Sequence, residues 1–222
     1  RWSLWLIPDE QPAPAIYGAP AHTWLAGWAG RPADLGADRV VVTERLDDDL
    51  LEFLRNGGRA ILAAGEGLVK PYNPKFGFTA GQYFFTPPAN YPPYEDGHDG
   101  TIIQRHPALG DFPHAGFADL QCFRMMDKAP AMPLEPLGLN GADPVIRVMH
   151  SYPVGRSLGY LVDAAYGAGR LILCALEVHA AWPEARALLA RLLAYAAGDC
   201  VGPGTPLTEE GMAAILAGTQ IP

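Results

Sequence analysis

The sequence predicts a three-layer α/β domain, in which helices flank a mainly parallel sheet and an antiparallel hairpin lies towards the C-terminal end. Two observations lead to this fold class. A buried strand, an amphipathic helix and a second buried strand follow one another within residues 39–64. Two further apolar strands, at 157–165 and 170–176, are separated by the turn sequence Tyr-Gly-Ala-Gly at 166–169. Parallel strands need a crossover such as a helix, whereas antiparallel neighbours can be joined by a tight turn.

The strand–helix–strand unit carries the clearest signals. Residues 39–43 form a β-branched, apolar run that is typical of a buried strand. Three aspartates at 47–49 follow, and carboxylates at the start of a helix are stabilised by the helix dipole. Apolar residues at helical spacing continue to Leu54, and Gly57 then favours the left-handed conformation that ends many helices. This pattern predicts two parallel strands with one helix between them.

The other elements are predicted from shorter signals. Further strand candidates are residues 2–7, 101–103 and 144–149. A long helix begins at Pro183, because proline suits the first helical turn. The tail at 199–222 opens with glycine and proline and then favours a short helix at 209–217. We therefore expect one α/β domain over residues 1–198, followed by a linker and a short C-terminal helix.

Composition limits the classes of partner. The chain has 222 residues and a net charge of −8, with no cluster of Lys and Arg. Nucleic acids and anionic membranes bind basic surfaces, so neither is expected as a partner. No apolar run reaches the roughly 20 residues of a membrane-spanning helix.

Because the chain starts without methionine and enters a predicted strand at once, we expect it to be part of a longer polypeptide. The composition does not assign a compartment.

The most informative site for chemistry is the turn after the strand at 59–64. In open α/β sheets, ligands and nucleophiles lie at the carboxyl ends of the strands. A nucleophile elbow would present Cys or Ser at this turn, but the sequence places Gly65 there. Glycine has no side chain that can attack, so no catalytic residue is predicted. Glu66 at the same turn and the pair Glu177 and His179 remain as weaker polar candidates.

Neither a metal site nor a cofactor is predicted. Four histidines are candidate metal ligands: His98, His106, His114 and His150. No two of them have the i, i+4 spacing of a helical metal site, and no cysteine lies close to one. The glycines around Glu66 lack the third glycine of a dinucleotide-binding turn.

An aromatic segment at 72–94 is the most unusual local feature. Its members are Tyr72, Phe76, Phe78, Tyr83, Phe84, Phe85, Tyr91 and Tyr94. Aromatic rings can contact the faces of sugars, so this segment is a candidate carbohydrate-contacting loop. The alternative interpretation is a long loop that packs on the sheet or on a neighbouring domain through its own rings.

Several stretches resemble the C-terminal, amidotransferase-like domain of some family 2 glycoside hydrolases, which are β-galactosidase-like proteins. The matching stretches are residues 2–8, 40–47, 57–62, 106–109, 112–113, 119–121, 144–148, 159–174 and 183–186. Cys122 and Phe123 stand where that family has tryptophans. The trimerisation domain of family 42 β-galactosidases is a related resemblance, with the same fold and the same loss of the nucleophile.

The resemblance implies a flavodoxin-like or amidotransferase-like fold and a non-catalytic accessory role in bacterial carbohydrate metabolism. In such enzymes the catalytic carboxylates lie in a separate barrel domain, so no catalytic residue is carried over to this chain. The implied partner is the catalytic domain of the same polypeptide or another subunit. Two alternatives stay open: a carbohydrate-binding module that uses the aromatic segment, and a free-standing hydrolase.

Overall fold

The computed structural model describes residues 4–69, 98–127, 129–139, 141–150, 156–198 and 204–219. Within these residues the strands are β1 (Ala15–Ile16), β2 (Arg31–Pro32), β3 (Val40–Thr43), β4 (Arg59–Ala63), β5 (His98–Ile103), β6 (Met132–Pro133), β7 (Ile146–His150), β8 (Ser157–Tyr166), β9 (Gly169–Cys174) and β10 (Thr205–Pro206). The α-helices are α1 (Asp48–Arg55), α2 (Glu66–Val69), α3 (Phe123–Met126), α4 (Pro183–Ala197) and α5 (Glu209–Thr219).

All the strands belong to one ten-stranded sheet of the order β2-β1-β3-β4-β9-β8-β7-β5, and β6 and β10 both pair with β8. The predicted α/β class is confirmed: the sheet is mainly parallel and helices flank it. The strands β3, β4 and β9 lie side by side and run parallel, and their pairing aligns Val42 with Ile61 and Ile61 with Ile172. These three side chains are almost completely buried. Continuous apolar runs are typical of parallel strands that are covered on both faces.

The predicted strand–helix–strand unit is present as β3, α1 and β4. Asp47 precedes α1, and its carboxylate accepts the N–H of Leu50 at 3.0 Å. The same carboxylate accepts the hydroxyl of Tyr17 at 2.9 Å, which ties the loop after β1 to the helix start. Gly57 follows the helix with a φ of +97°, a conformation that glycine adopts at little cost. Local capping signals therefore placed both ends of this helix correctly.

Strands β8 and β9 pair antiparallel across the turn at Gly167, which has a φ of +57°. The turn packs against the end of α1, where the N–H of Ala168 donates to Arg55 O at 3.2 Å. Close by, the Arg59 guanidinium donates to the carbonyls of Ala196 and Gly198 at the end of α4. A cation at this position neutralises the negative end of the helix dipole.

A buried ionic cluster links this hairpin to α4. Arg170 Nε of β9 lies 2.7 Å from Asp163 Oδ1 of β8, and the two side chains are only 9% and 4% exposed. Tyr195 of α4 donates its hydroxyl to Asp163 Oδ2 at 2.6 Å and accepts from Arg170 Nη2 at 3.0 Å. Each buried charge therefore has a charged partner and a hydrogen bond, which is the condition for burying it.

The structure differs from the prediction at the N-terminal end. Residues 2–7 were expected to form the first strand, but the described residues 4–14 have no regular structure, and the first strand is Ala15–Ile16. Leu4 and Leu6 are 87% and 86% exposed, while Trp5 and Ile7 face the protein. Alternation creates one apolar face, but a strand also requires a neighbouring backbone to pair with.

The C-terminal residues contribute to the same sheet and core. Strand β10 pairs in parallel with Ala164 and Ala165 of β8. Helix α5 packs on α2, and the Cα of Gly218 approaches Leu68 so closely that a Cβ there would lie 2.4 Å from Leu68 Cδ2. None of the helices in the described residues is both long and apolar enough to cross a membrane.

Candidate functional site

The turn after β4 leads from a strand into a helix, which is the geometry of a nucleophile elbow. Strand β4 ends at Ala63, and α2 begins at Glu66 after two residues. Gly65 therefore occupies the position at which a nucleophile elbow would present its side chain. Its φ lies outside the left-handed region, and among the described residues a Cβ built there would meet only Thr23 Cγ2, at 3.8 Å. The described part of the chain therefore leaves room for a side chain at position 65, where the sequence has glycine.

Glu44 fixes a loop beside this turn. It follows β3 directly, and its carboxylate accepts the N–H groups of Ala21 at 2.7 Å and Thr23 at 3.2 Å. It also accepts the hydroxyl of Thr23 at 3.1 Å, while the Thr23 oxygen caps the 3₁₀ helix Trp24–Gly27. The sequence analysis missed Glu44, although a carboxylate directly after a buried parallel strand was a usable signal.

The predicted pair of Glu177 and His179 is brought together three and five residues beyond the end of β9. His179 Nε2 lies 2.7 Å from Glu177 Oε2, and both side chains are partly exposed. The imidazole contacts Trp182 edge to face, with ring centroids 4.6 Å apart. Because β4 and β9 are parallel neighbours, this pair and Gly65 lie at the same edge of the sheet. A histidine oriented by a carboxylate can act as a base, but no nucleophile lies at Gly65 for it to serve.

A small cavity has Arg124 in its wall, and Arg124 faces the Trp182 ring that contacts His179. Its volume is about 200 Å³, and its lining includes Trp5, Leu120, Gln121, Arg124 and Glu184. Arg124 donates to both carboxylate oxygens of Glu184, at 2.6 and 2.7 Å. The guanidinium carbon of Arg124 also lies 5.5 Å from the centre of the Trp182 ring. Arg124 and Glu184 thus satisfy each other's charge at the cavity wall.

The described cysteines are not available as alternative nucleophiles. Cys174 ends β9, and its carbonyl accepts the N–H of Ala64 at 2.8 Å, so it lies next to the Gly65 turn. Cys122 and Cys174 are both buried. Burial raises the pKa of each thiol to about 12. A thiolate is the reactive form, so both are inert near neutral pH.

Labelling a thiol introduced at the turn tests this geometry. We expect the Gly65→Cys variant to fold and its new thiol to react with iodoacetamide at pH 8. The buried Cys122 and Cys174, with pKa values of about 12, should stay unmodified in the native state, because only about one thiol in 10⁴ is ionised at that pH. Peptide mapping by mass spectrometry identifies each site. Failure of the thiol at position 65 to react in the native state would contradict the open turn. Labelling in urea is the control, because it shows whether this thiol reacts once the chain is unfolded.

Of the other predicted residues, Glu66 lies at the same turn as Gly65, where it is exposed as the first residue of α2. The aromatic segment 72–94 lies outside the described residues. His106 and His114 each accept a backbone N–H with Nδ1. Among the residues that the structure describes, no three His, Cys, Asp or Glu side chains are grouped so that they could hold a metal ion.

A larger cavity, of about 590 Å³, lies at the opposite edge of the sheet. Asp38 and Arg39, just before β3, and Gly58, just before β4, are among its lining residues. The Asp38 carboxylate pairs with Arg31, which lowers its pKa to about 2. Because this cavity adjoins the amino ends of the strands, it is separated from the Gly65 turn by the length of the strands.

Comparison with known proteins identifies one family. A family model described as a domain of unknown function (DUF8487) matches residues 41–217, which include every strand from β4 to β10 and the Gly65 turn. No curated protein matches the chain. Since the family model matches well over half of the sequence, this chain belongs to the DUF8487 family.

Proposed function

We propose that this chain is a non-catalytic accessory domain of amidotransferase-like fold within a larger glycoside hydrolase. The observation that carries the proposal is Gly65, which leaves the turn after β4 without a nucleophile although the described residues leave room for a side chain there. The pair Glu177 and His179 at the next strand end supports a common origin with nucleophile-bearing domains. The domain serves the enzyme through its surface and not through its own chemistry.

An exposed apolar surface supports a docking role. We define the docking patch as Leu4, Leu6, Leu120 and Phe123, which are 87%, 86%, 67% and 43% exposed. Leu4 and Leu120 line the same small cavity, Leu6 lies two residues from Leu4, and the Phe123 N–H donates to Leu120 O. Clustered apolar side chains in water are costly and typically mark an interaction surface. The partner we infer is the catalytic domain of the same polypeptide or of another subunit.

An activity assay tests the non-catalytic part of the proposal. The 222-residue chain is incubated with a panel of aryl-glycosides and with glutamine, and release of the aryl alcohol or ammonia is measured. We expect rates equal to the buffer blank, and equal rates for the Glu177→Gln and His179→Ala variants. Turnover by the native chain that disappears in the His179→Ala variant would overturn the proposal.

Hydrogen exchange tests the docking patch in the full polypeptide encoded by the same reading frame. We expect that polypeptide to contain a glycoside hydrolase barrel and to protect peptides containing Leu4 or Leu120 more strongly than the 222-residue chain does. Leu120→Ser should remove this extra protection. Met149→Ser, at an exposed apolar residue on β7, is the matched control and should leave the extra protection unchanged. A reading frame without a barrel, or equal protection, would contradict the docking role.

Carbohydrate binding is the alternative that depends on the aromatic segment. Calorimetric titration of the chain with oligosaccharides separates it from the docking role. Heat of binding at millimolar sugar would favour a binding module, and its absence would leave the accessory role.

A further inference from the structure

Two histidines in one loop make the same backbone contact. The loop spans residues 104–116, directly after β5, and the N–H of Ile103 closes its base by donating to Gly116 O at 2.8 Å. His106 Nδ1 accepts the N–H of Ala108 at 3.1 Å, and His114 Nδ1 accepts the N–H of Gly116 at 3.2 Å. An imidazole nitrogen accepts a hydrogen bond only when it carries no proton. Both contacts therefore require neutral imidazoles protonated at Nε2.

Two charged groups and one tyrosine, on three different elements, face His106. Its Nε2 lies 3.6 Å from Asp163 Oδ2 of β8, and its ring meets the Tyr195 ring of α4 edge to face at 5.5 Å. Arg170 of β9 is paired with the same Asp163. Burial lowers the pKa of His106, Arg170 lowers it further, and Asp163 opposes them. Asp163 is already engaged by Arg170 and Tyr195, so it does not compensate for the burial of a second cation.

His114 has a simpler environment. It is partly buried, and among the described residues Arg105 of the same loop is the charged group that acts on it. Burial lowers the pKa of His114, and the Arg105 charge lowers it further. The residue whose N–H it accepts, Gly116, has a φ of +92°. The imidazole thus stabilises a left-handed turn at the point where the loop rejoins the sheet.

The loop covers one side of α4. Its 3₁₀ turn Pro107–Leu109 packs on the helix, and Leu109 and Phe112 are buried. Asp111 pairs with Arg191 of α4. Release of the loop would therefore expose apolar surface on both the loop and the helix.

We propose that the loop at 104–116 is an acid-sensitive latch, in which protonation of His106 and His114 by solvent releases it from α4. The proton converts each Nδ1 from an acceptor into a donor that opposes the backbone N–H of Ala108 or Gly116. Both hydrogen bonds are lost together with the turns that they hold, and the closed loop gives way to an open one.

The direction of the pH dependence follows from linkage. Because both folded pKa values lie below the ordinary histidine value of about 6.5, protons bind the open loop more readily than the closed one. The stability of the closed loop relative to the open loop is therefore greatest above about pH 6.5, and it decreases as the pH falls below that value. Between about pH 6.5 and its lowered pKa in the closed loop, each histidine raises the opening equilibrium constant by up to about tenfold per pH unit.

Amide hydrogen exchange of the whole chain at pH 7.5 and 5.0, corrected for the intrinsic pH dependence of exchange, measures the latch. We expect the protection of residues 104–116 to fall at least tenfold at pH 5.0, while protection of β4 stays unchanged. Nitrogen-15 spectra at pH 7.5 should show His106 and His114 as Nε2–H tautomers. Equal protection at the two pH values, or Nδ1–H tautomers, would overturn the proposal.

A non-titrating replacement provides the matched control. The carboxamide oxygen of asparagine can accept the N–H two residues later without binding a proton. We expect the His106→Asn/His114→Asn variant to keep the loop protected at both pH values. His22→Asn, at an exposed histidine outside the loop, should retain the native pH dependence. Persisting pH dependence in the double variant would contradict the latch. If residues 104–116 of the double variant are unprotected at both pH values, asparagine does not replace the imidazole contacts. The proposal is then decided by the hydrogen exchange and the histidine tautomers of the native chain.

Discussion

Replacing Asp163 with asparagine is expected to lower the free energy of unfolding by about 3–5 kcal/mol, the typical cost of removing one partner from a buried ion pair. Asparagine keeps the size of the side chain but removes the charge that Arg170 faces at 2.7 Å. The guanidinium is only 9% exposed, so water cannot replace the lost carboxylate. Urea denaturation followed by circular dichroism measures the change.

A fully apolar replacement separates the lost charge pairing from lost packing. The Asp163→Val/Arg170→Met/Tyr195→Phe variant replaces all three polar side chains of the cluster at once. No member of the cluster is then left buried without its partner. Replacing a whole buried ionic cluster with apolar residues is often neutral. We therefore expect this triple variant to be more stable than Asp163→Asn. If Asp163→Asn instead loses less than about 1 kcal/mol, the value typical of exposed pairs, the cluster is not buried as described.

Replacing Gly169 with alanine is expected to cost about 3 kcal/mol, at the upper end of the range for overpacking. A Cβ at this position would lie 2.1 Å from Leu54 O and 2.3 Å from Gly58 O. Both are backbone oxygens, and Gly58 O also accepts the N–H of Arg170 at 3.1 Å. Relief of the clash requires the hairpin to separate from the end of α1. For a domain of this size, we expect the melting temperature to fall by roughly 6–12 °C.

Gly27→Ala is the matched control for this substitution. Within the described part of the chain, Gly27 has no neighbour within 4 Å of a built Cβ, and its φ is not in the left-handed region. An exposed change of this kind is expected to alter stability by no more than about 0.5 kcal/mol. Similar melting temperatures for the Gly169→Ala and Gly27→Ala variants would show that the hairpin does not approach α1 so closely.

Elements with strong local signals were predictable from the sequence. The helix α1 has an aspartate that caps its first turn, buried leucines at helical spacing and a left-handed glycine after its end. Helix α4 begins at the predicted Pro183. Each signal acts between residues only a few positions apart, so it does not depend on the rest of the fold.

Elements that need a distant partner were not predictable in the same way. Residues 4–7 alternate as a strand would, but β1, at Ala15–Ile16, is the strand that pairs with β3. Glu44 contacts residues about twenty positions earlier, and the indole N–H of Trp28 donates to Val178 O, 150 positions away, at 2.8 Å. Such contacts depend on the strand order, which local patterns do not encode.

The candidate site shows the same division. The sequence alone determined that the turn after β4 carries glycine in place of a nucleophile, because the strand and its turn are local features. The tertiary structure decided that Glu177 and His179 share the sheet edge with Gly65, because parallel pairing of β4 and β9 aligns their ends. It also decided that Arg170, Asp163 and Tyr195 are buried together. Polar residues become a buried cluster only when separate elements close around them, and that is a property of packing and not of sequence order.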